Sequence, residues 1–205
     1  MVACAPSQQT PAAAPAPAAS SSPAGFLEGK PGRVRSHGLD FPLEFSLPGK
    51  VSWQISEGPS WLVAEQRSSS SQLAVRTWRA DRLVRRAECE AQARLARPTI
   101  PNVRDEAVID RKPLSAPSDF DNELLVGVEP SALGLNGYVL VFGASSGRCY
   151  AAVFTTIVSG KDAEPELAAR LGLVVDRILS KVRVLSVDER APRRHLVVTP
   201  GAAQK

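Results

Sequence analysis

The amino-acid sequence predicts an α+β fold, an antiparallel sheet carrying a long C-terminal amphipathic helix and a second helix. Three observations predict it. Runs that alternate apolar with polar residues cluster at 41–78 and again at 123–158. One helical segment separates the clusters and another follows them, without the strand–helix alternation that a parallel doubly wound sheet needs. The 205 residues are 43% hydrophobic, enough for one core, and no apolar run approaches the roughly 18 residues a membrane-spanning helix requires.

The elements follow in order. Phe41, Leu43, Phe45 and Leu47 alternate with Pro42, Glu44 and Ser46, and Val51, Trp53 and Ile55 repeat the pattern after Pro48 and Gly49, which predicts two half-buried strands joined by a turn. Short strands are expected at 61–65 and 72–78, separated by serines at 68–71 that suit an exposed loop. The segment 80–97 predicts a helix that stops at Pro98, with Leu83, Ala87, Ala91 and Leu95 at four-residue spacing as its apolar face. A start nearer Arg85 gives a second face of small residues, Cys89, Ala93 and Ala96, suited to lying on a strand. Four prolines amid charges at 97–121 predict a long connection.

Strands are then expected at 123–129, 138–142 and 149–158. Tyr138, Leu140 and Phe142 point to one side and Val139 and Val141 to the other, so these strands need cover on both faces. The cover is a helix with Pro165 in its first turn and Leu167, Leu171, Val174, Val175, Ile178 and Val182 on one side.

The ends differ from this middle. Residues 1–24 hold nine Ala, five Pro and four Ser, and no charged side chain precedes Glu28, so the stretch has nothing with which to build a core. The expected organisation is an acylation site with a disordered tether at 1–25, a single α+β domain at 26–187, and a basic flexible tail at 188–205. The net charge of +4 is too mild to make nucleic acid the expected partner, and the excess of arginine over lysine, 19 to 6, carries no functional weight.

Val2, Ala3 and Cys4 resemble the end of a bacterial lipoprotein signal, where a small residue precedes the cysteine that becomes acylated; Met1 stands where Leu is usual. The resemblance implies lipidation of Cys4, the arrangement expected if the chain start is trimmed or assigned too late within its leader. With Ala5 rather than Asp beside the cysteine, it further implies the outer membrane. An exported chain is expected to pair its two remaining cysteines, Cys89 with Cys149, closing a loop of about 60 residues; two free thiols in a soluble cytosolic adaptor is the alternative. The unit from 137 to 184, two apolar strands and a long helix, is similar in architecture to the closing unit of PsbP and Mog1-like domains. That resemblance implies an α/β/α sandwich with an accessory or assembly role.

Candidate chemistry is sparse. Gly-Ala-Ser-Ser-Gly at 143–147 matches the G-x-S-x-G of serine hydrolases, with Ser145 as nucleophile and Asp162 or Asp176 and His195 as partners. The motif requires a helix after the serine, whereas the β-rich run at 148–158 predicts a hairpin tip. His37 and His195 have no companion at metal-ligand spacing, and no phosphate-cradling glycine loop occurs, so neither metal nor cofactor is expected. Asp119, Asp121 and Glu123 read as a solvated turn. Arg76, Arg79, Arg82, Arg85, Arg86, Arg94 and Arg97 run against Asp81, Glu88 and Glu90 with Trp78 interleaved, a pattern shared by polyanion sites and ordinary helix surfaces. Trp53 and Trp61, expected mainly in the core, join Arg82, Arg85 and Arg86 as the candidate binding surface. The combined expectation is a non-catalytic, lipid-anchored envelope protein acting as an accessory or binding subunit for a protein partner.

Overall fold

The computed structural model describes residues 30–49 and 52–185. Cys4, the tether, the tail and His195 lie outside the described residues. Strands β1 (Gly32–Arg35), β2 (Leu43–Leu47) and β10 (Arg183–Val184) form a small antiparallel sheet with β2 in the middle. Seven more make the main sheet: β3 (Gln54–Glu57), β4 (Leu62–Gln66), β5 (Ser71–Arg79), β6 (Val108–Leu114), β7 (Asp121–Ser131), β8 (Gly134–Ser145) and β9 (Arg148–Val158). Their order is β3-β4-β5-β9-β8-β7-β6, antiparallel throughout. Helix α1 (Arg86–Ala96) lies on one face. Helix α2 (Ala163–Leu173), prolonged by a π turn at Val174–Ile178 and a 3-10 turn at Leu179–Lys181, lies on the other. The α+β class and the two-sided cover of β8 and β9 are as expected.

The α2 face is the larger apolar layer. Leu73, Val75, Val139, Val141, Tyr150, Ala152 and Phe154 of the sheet pack with Leu167, Leu171, Val174 and Ile178, and with Leu43, Phe45 and Leu47 of β2. Gly137 lets α2 approach, since a Cβ there would lie 2.4 Å from Leu167 Cδ1. Tyr150 is fully buried in this layer, and burial pushes its phenol well above the ordinary range.

Two charges are buried with it. Arg170 and Glu166, 1% and 5% exposed, pair across one helical turn. Arg170 Nη1 also donates to the Ser69 carbonyl at 2.6 Å and to Thr156 Oγ1 at 3.0 Å, and Ser69 Oγ donates to Gln66 Oε1 at 2.5 Å. The serine stretch expected as an exposed loop is therefore corrected. Ser69 and Ser71 are buried at 4% each because the Ser69 carbonyl satisfies the buried Arg170 and the Ser71 hydroxyl bonds to that carbonyl and to Thr156 Oγ1, and a left-handed Ser70 (φ 49°) turns the chain there.

Three further expectations need correction. The strands at 41–47 and 51–55 do not pair with each other. Gly49, at φ 53°, turns the chain from β2 of the small sheet to β3 of the large one, and the corner is tied by Trp53 Nε1 donating to the Pro48 carbonyl at 2.9 Å. The connection at 97–121 contains β6, an edge strand on β7, a position that tolerates Pro113 because its outer side needs no ladder partner. The helix at 80–97 starts six residues later, at Arg86.

Candidate functional site

The surface around α1 gathers the candidate arginines, and its geometry follows from how the helix is fixed. Glu88 reaches back to accept the Arg85 backbone N–H at 2.8 Å, which sets the helix start. Four residues further in the chain, Cys89 is disulfide-bonded to Cys149 of β9, with Cα atoms 5.5 Å apart and both residues fully buried. Ala93, also fully buried, sits one turn on, and their small side chains let the helix lie close on Ala144, Ala151, Leu140 and Phe142. Trp78 Nε1 donates to Gln92 Oε1 at 2.7 Å, and Arg94 donates to the Pro101 carbonyl at 3.1 Å.

With the Cys89 side turned inward, the four-spaced apolar face turns outward. Leu83 and Leu95 are 80% and 82% exposed, and Ala87 and Ala91 are exposed with them. The expected core face is thus corrected: the disulfide and the need for close packing decide the rotation of the helix and leave Leu95 in water, while Leu83 lies ahead of the helix start and is exposed as well.

The arginines beside it are mostly paired. Arg82 meets Glu88 at 2.6 Å, Arg86 bridges Asp121 at 3.1 Å and Glu123 at 2.9 Å, and Arg94 meets Glu90 at 2.9 Å. Arg85 is exposed. Such pairs at a surface position side chains and contribute only ~0–1 kcal/mol each. A cleft of about 570 Å³ runs beneath Arg85 and Arg86 to Ser145, and another of about 360 Å³ lies beyond the hairpin tip at Arg79, Arg82 and Arg148. Asp119, Asp121 and Glu123 are held by arginines at this end, Asp119 lying 3.9 Å from Arg148.

The G-x-S-x-G match falls on the tip between β8 and β9. Ser146 and Gly147 form its two-residue turn at φ 43° and 78°, the conformations of a type I′ turn, and strand β9 leaves it where a nucleophile elbow needs a helix. Both glycines have structural reasons: a Cβ on Gly143 would lie 2.0 Å from Asn122 Oδ1, and Gly147 supplies the positive φ. Ser145 Oγ accepts from Arg148 at 3.1 Å. Asp162 follows the far end of β9, some ten strand residues or roughly 30 Å away.

Trp53 and Trp61 do not share a surface with each other. Trp53 is buried in the α2 layer and Trp61 in the α1 layer, at 5% and 8% exposure. Sequence reading groups them because they flank one turn. Sheet register separates them, and the same register gave the missed partner: Leu62 pairs with Val75, so Trp61 falls beside Arg76. His37 is exposed, its backbone N–H donating to Glu57, and no metal-ligating cluster occurs among the described residues. No helix of the described residues is long and apolar enough to cross a membrane.

No protein-family model and no curated protein matches the chain. Among the solved structures similar to it are two bacterial proteins. A protein from Bacteroides thetaiotaomicron VPI-5482 is 8% identical, with 72% of this chain covered and 46% of that one and a TM-score of 0.41, so this chain spans less than half its length. LpqN, described as involved in cell envelope biogenesis of Mycobacterium tuberculosis, is 11% identical, with 82% and 99% covered and a TM-score of 0.40.

Proposed function

We propose that this chain is a non-catalytic, lipid-anchored protein of a bacterial cell envelope, held by an acylated Cys4, spaced from the membrane by the tether at 5–24, and acting as an accessory or assembly subunit that binds a protein partner. The disulfide between Cys89 and Cys149 carries the reading. A buried bridge that fixes a helix onto a sheet belongs to an oxidising compartment, and it accounts for two of the three cysteines, leaving Cys4 for the anchor. Ala5 beside that cysteine favours the outer membrane, facing the periplasm. The outward leucines of the α1 region, Leu83 and Leu95, are the apolar anchors offered to a partner.

The test is the intact mass of the protein from its own host under non-reducing conditions. The expected result is a diacylglyceryl or triacyl addition at Cys4 together with the loss of two hydrogens for the bridge. An unmodified Cys4 in the soluble fraction, with free thiols at Cys89 and Cys149, would overturn the proposal and favour a cytosolic adaptor. The hydrolase alternative predicts loss of a hydrolytic activity in Ser145→Ala; retention of any such activity excludes that serine as its nucleophile.

A further inference from the structure

The arginine-and-tryptophan run at 76–97 folds into a stack that its order in the chain does not reveal. On the α1 face of the sheet, the Arg76 guanidinium carbon lies 4.7 Å from the centre of the Trp78 ring and 5.9 Å from that of Trp61. Arg97, at the end of α1, lies 5.6 Å from the same Trp61 ring. Two cations therefore share one indole. Contact with an aromatic face engages the face of a guanidinium and leaves its rim of N–H donors available. Among the described residues, Arg76 has no carboxylate at ion-pair distance and no hydrogen-bond acceptor. Arg97 gives one N–H to Gln72 Oε1, and Gln72 in turn donates to Glu65 at 2.8 Å, so the nearest carboxylate is held one side chain away.

Both arginines are half-buried. Desolvation lowers the pKa of each, and only the more distant charges of Asp40, for Arg76, and Glu65, for Arg97, act in the opposite sense. Partly dehydrated cations without a contacting anion are costly unless an anion from outside completes the site. We propose that Arg76 and Arg97, held by Trp61 and Trp78, form a binding site for a phosphate group. Two guanidiniums that share the Trp61 ring match its double charge and its several acceptor oxygens, and the indoles supply an apolar wall for the organic part of a phosphate ester. The site stands independently of the membrane anchor and of the outward leucines.

The full chain is titrated with inorganic phosphate, with ionic strength held constant by sodium chloride, while tryptophan emission is followed; Trp61 and Trp78 report directly. Wild type is expected to give a saturable change. Arg76→Gln and Arg97→Gln are expected to weaken it by at least ~10-fold, and Arg177→Gln, an exposed position on the opposite helix, to leave it unchanged. A response that is linear, or that sodium chloride alone reproduces, overturns the site in the wild type without recourse to any variant. Equal affinity in folded Arg76→Gln, with near-ultraviolet circular dichroism as the check on folding, overturns it as well. Sedimentation with vesicles of phosphatidylcholine and phosphatidic acid at about four to one separates the sources: binding that phosphate competes away identifies a lipid headgroup, and saturable phosphate binding without sedimentation identifies a soluble phosphorylated compound.

Discussion

The two helices cover opposite faces of one sheet and are held by different forces. Helix α2 turns Leu167, Leu171, Val174 and Ile178 into a continuous apolar layer, whereas α1 buries only Cys89 and Ala93 and leaves Leu95 in water. At about 25 cal/mol per Å² of apolar surface, two small side chains cannot hold an eleven-residue helix. The disulfide does so instead. Four-residue apolar spacing occurs in both helices, and it marks the buried face in only one of them, because a covalent constraint and close backbone approach outrank hydropathy where the inward residues are small.

Four sets of variants test this contrast, from the largest effect to the smallest. Arg170→Ala strands Glu166 and the Ser69 carbonyl in the α2 layer, and chemical denaturation is expected to show a loss of about 3–5 kcal/mol. The double substitution of Arg170→Met with Glu166→Leu recovers most of it; a mild single variant would mean that the ion pair is not an essential tie. Cys89→Ala with Cys149→Ala removes the closure of a 60-residue separation and is expected to cost about 3 kcal/mol. Hydrogen exchange should then rise in α1 and stay low in α2. Equal loosening of both helices would break the proposed division of labour.

Gly143→Ala pushes a methyl group into Asn122 and should cost about 1–3 kcal/mol, while Ser145→Ala two residues away changes stability by less than about 0.5 kcal/mol in thermal unfolding. Tyr150→Phe gives the smallest effect at neutral pH. Its hydroxyl is buried without a hydrogen-bond partner, so little is lost with it. The folded-state pKa is raised by burial, so the unfolded chain ionises first, near pH ~10; the stabilisation is fully present below that pH and is lost as pH climbs toward the folded-state value. Comparing denaturation at about pH 8 and about pH 11 should show wild type losing more stability than Tyr150→Phe.

The strands of the large sheet were legible wherever alternation ran long enough to fix a face, as in β5, β8 and β9. The small sheet was not: β1 has four residues and β10 two, too few for a period, and the alternation of β2 says nothing about which sheet it joins. Pro113 hid β6 because proline disqualifies a central strand and is tolerated on an edge. At the candidate site, Cys89 and Ala93 carried a readable signal in their spacing. The stack of Arg76 on Trp61 and Trp78 did not, because Trp61 reaches Arg76 only through the pairing of β4 with β5.

The small sheet has a topological consequence. Strands β1 and β10 flank β2 and run parallel to each other, so Gly32 and Val184 are one strand apart on either side and a few residues apart along it. A linker of a few glycines and serines would span that gap, and the chain could be reopened at the tight turn between β7 and β8, at exposed Leu133. Such a circular permutant would keep both helices and the bridge while moving the chain ends from β1 and β10 to the turn between β7 and β8, turning the place from which the domain is tethered into a variable that can be set by design.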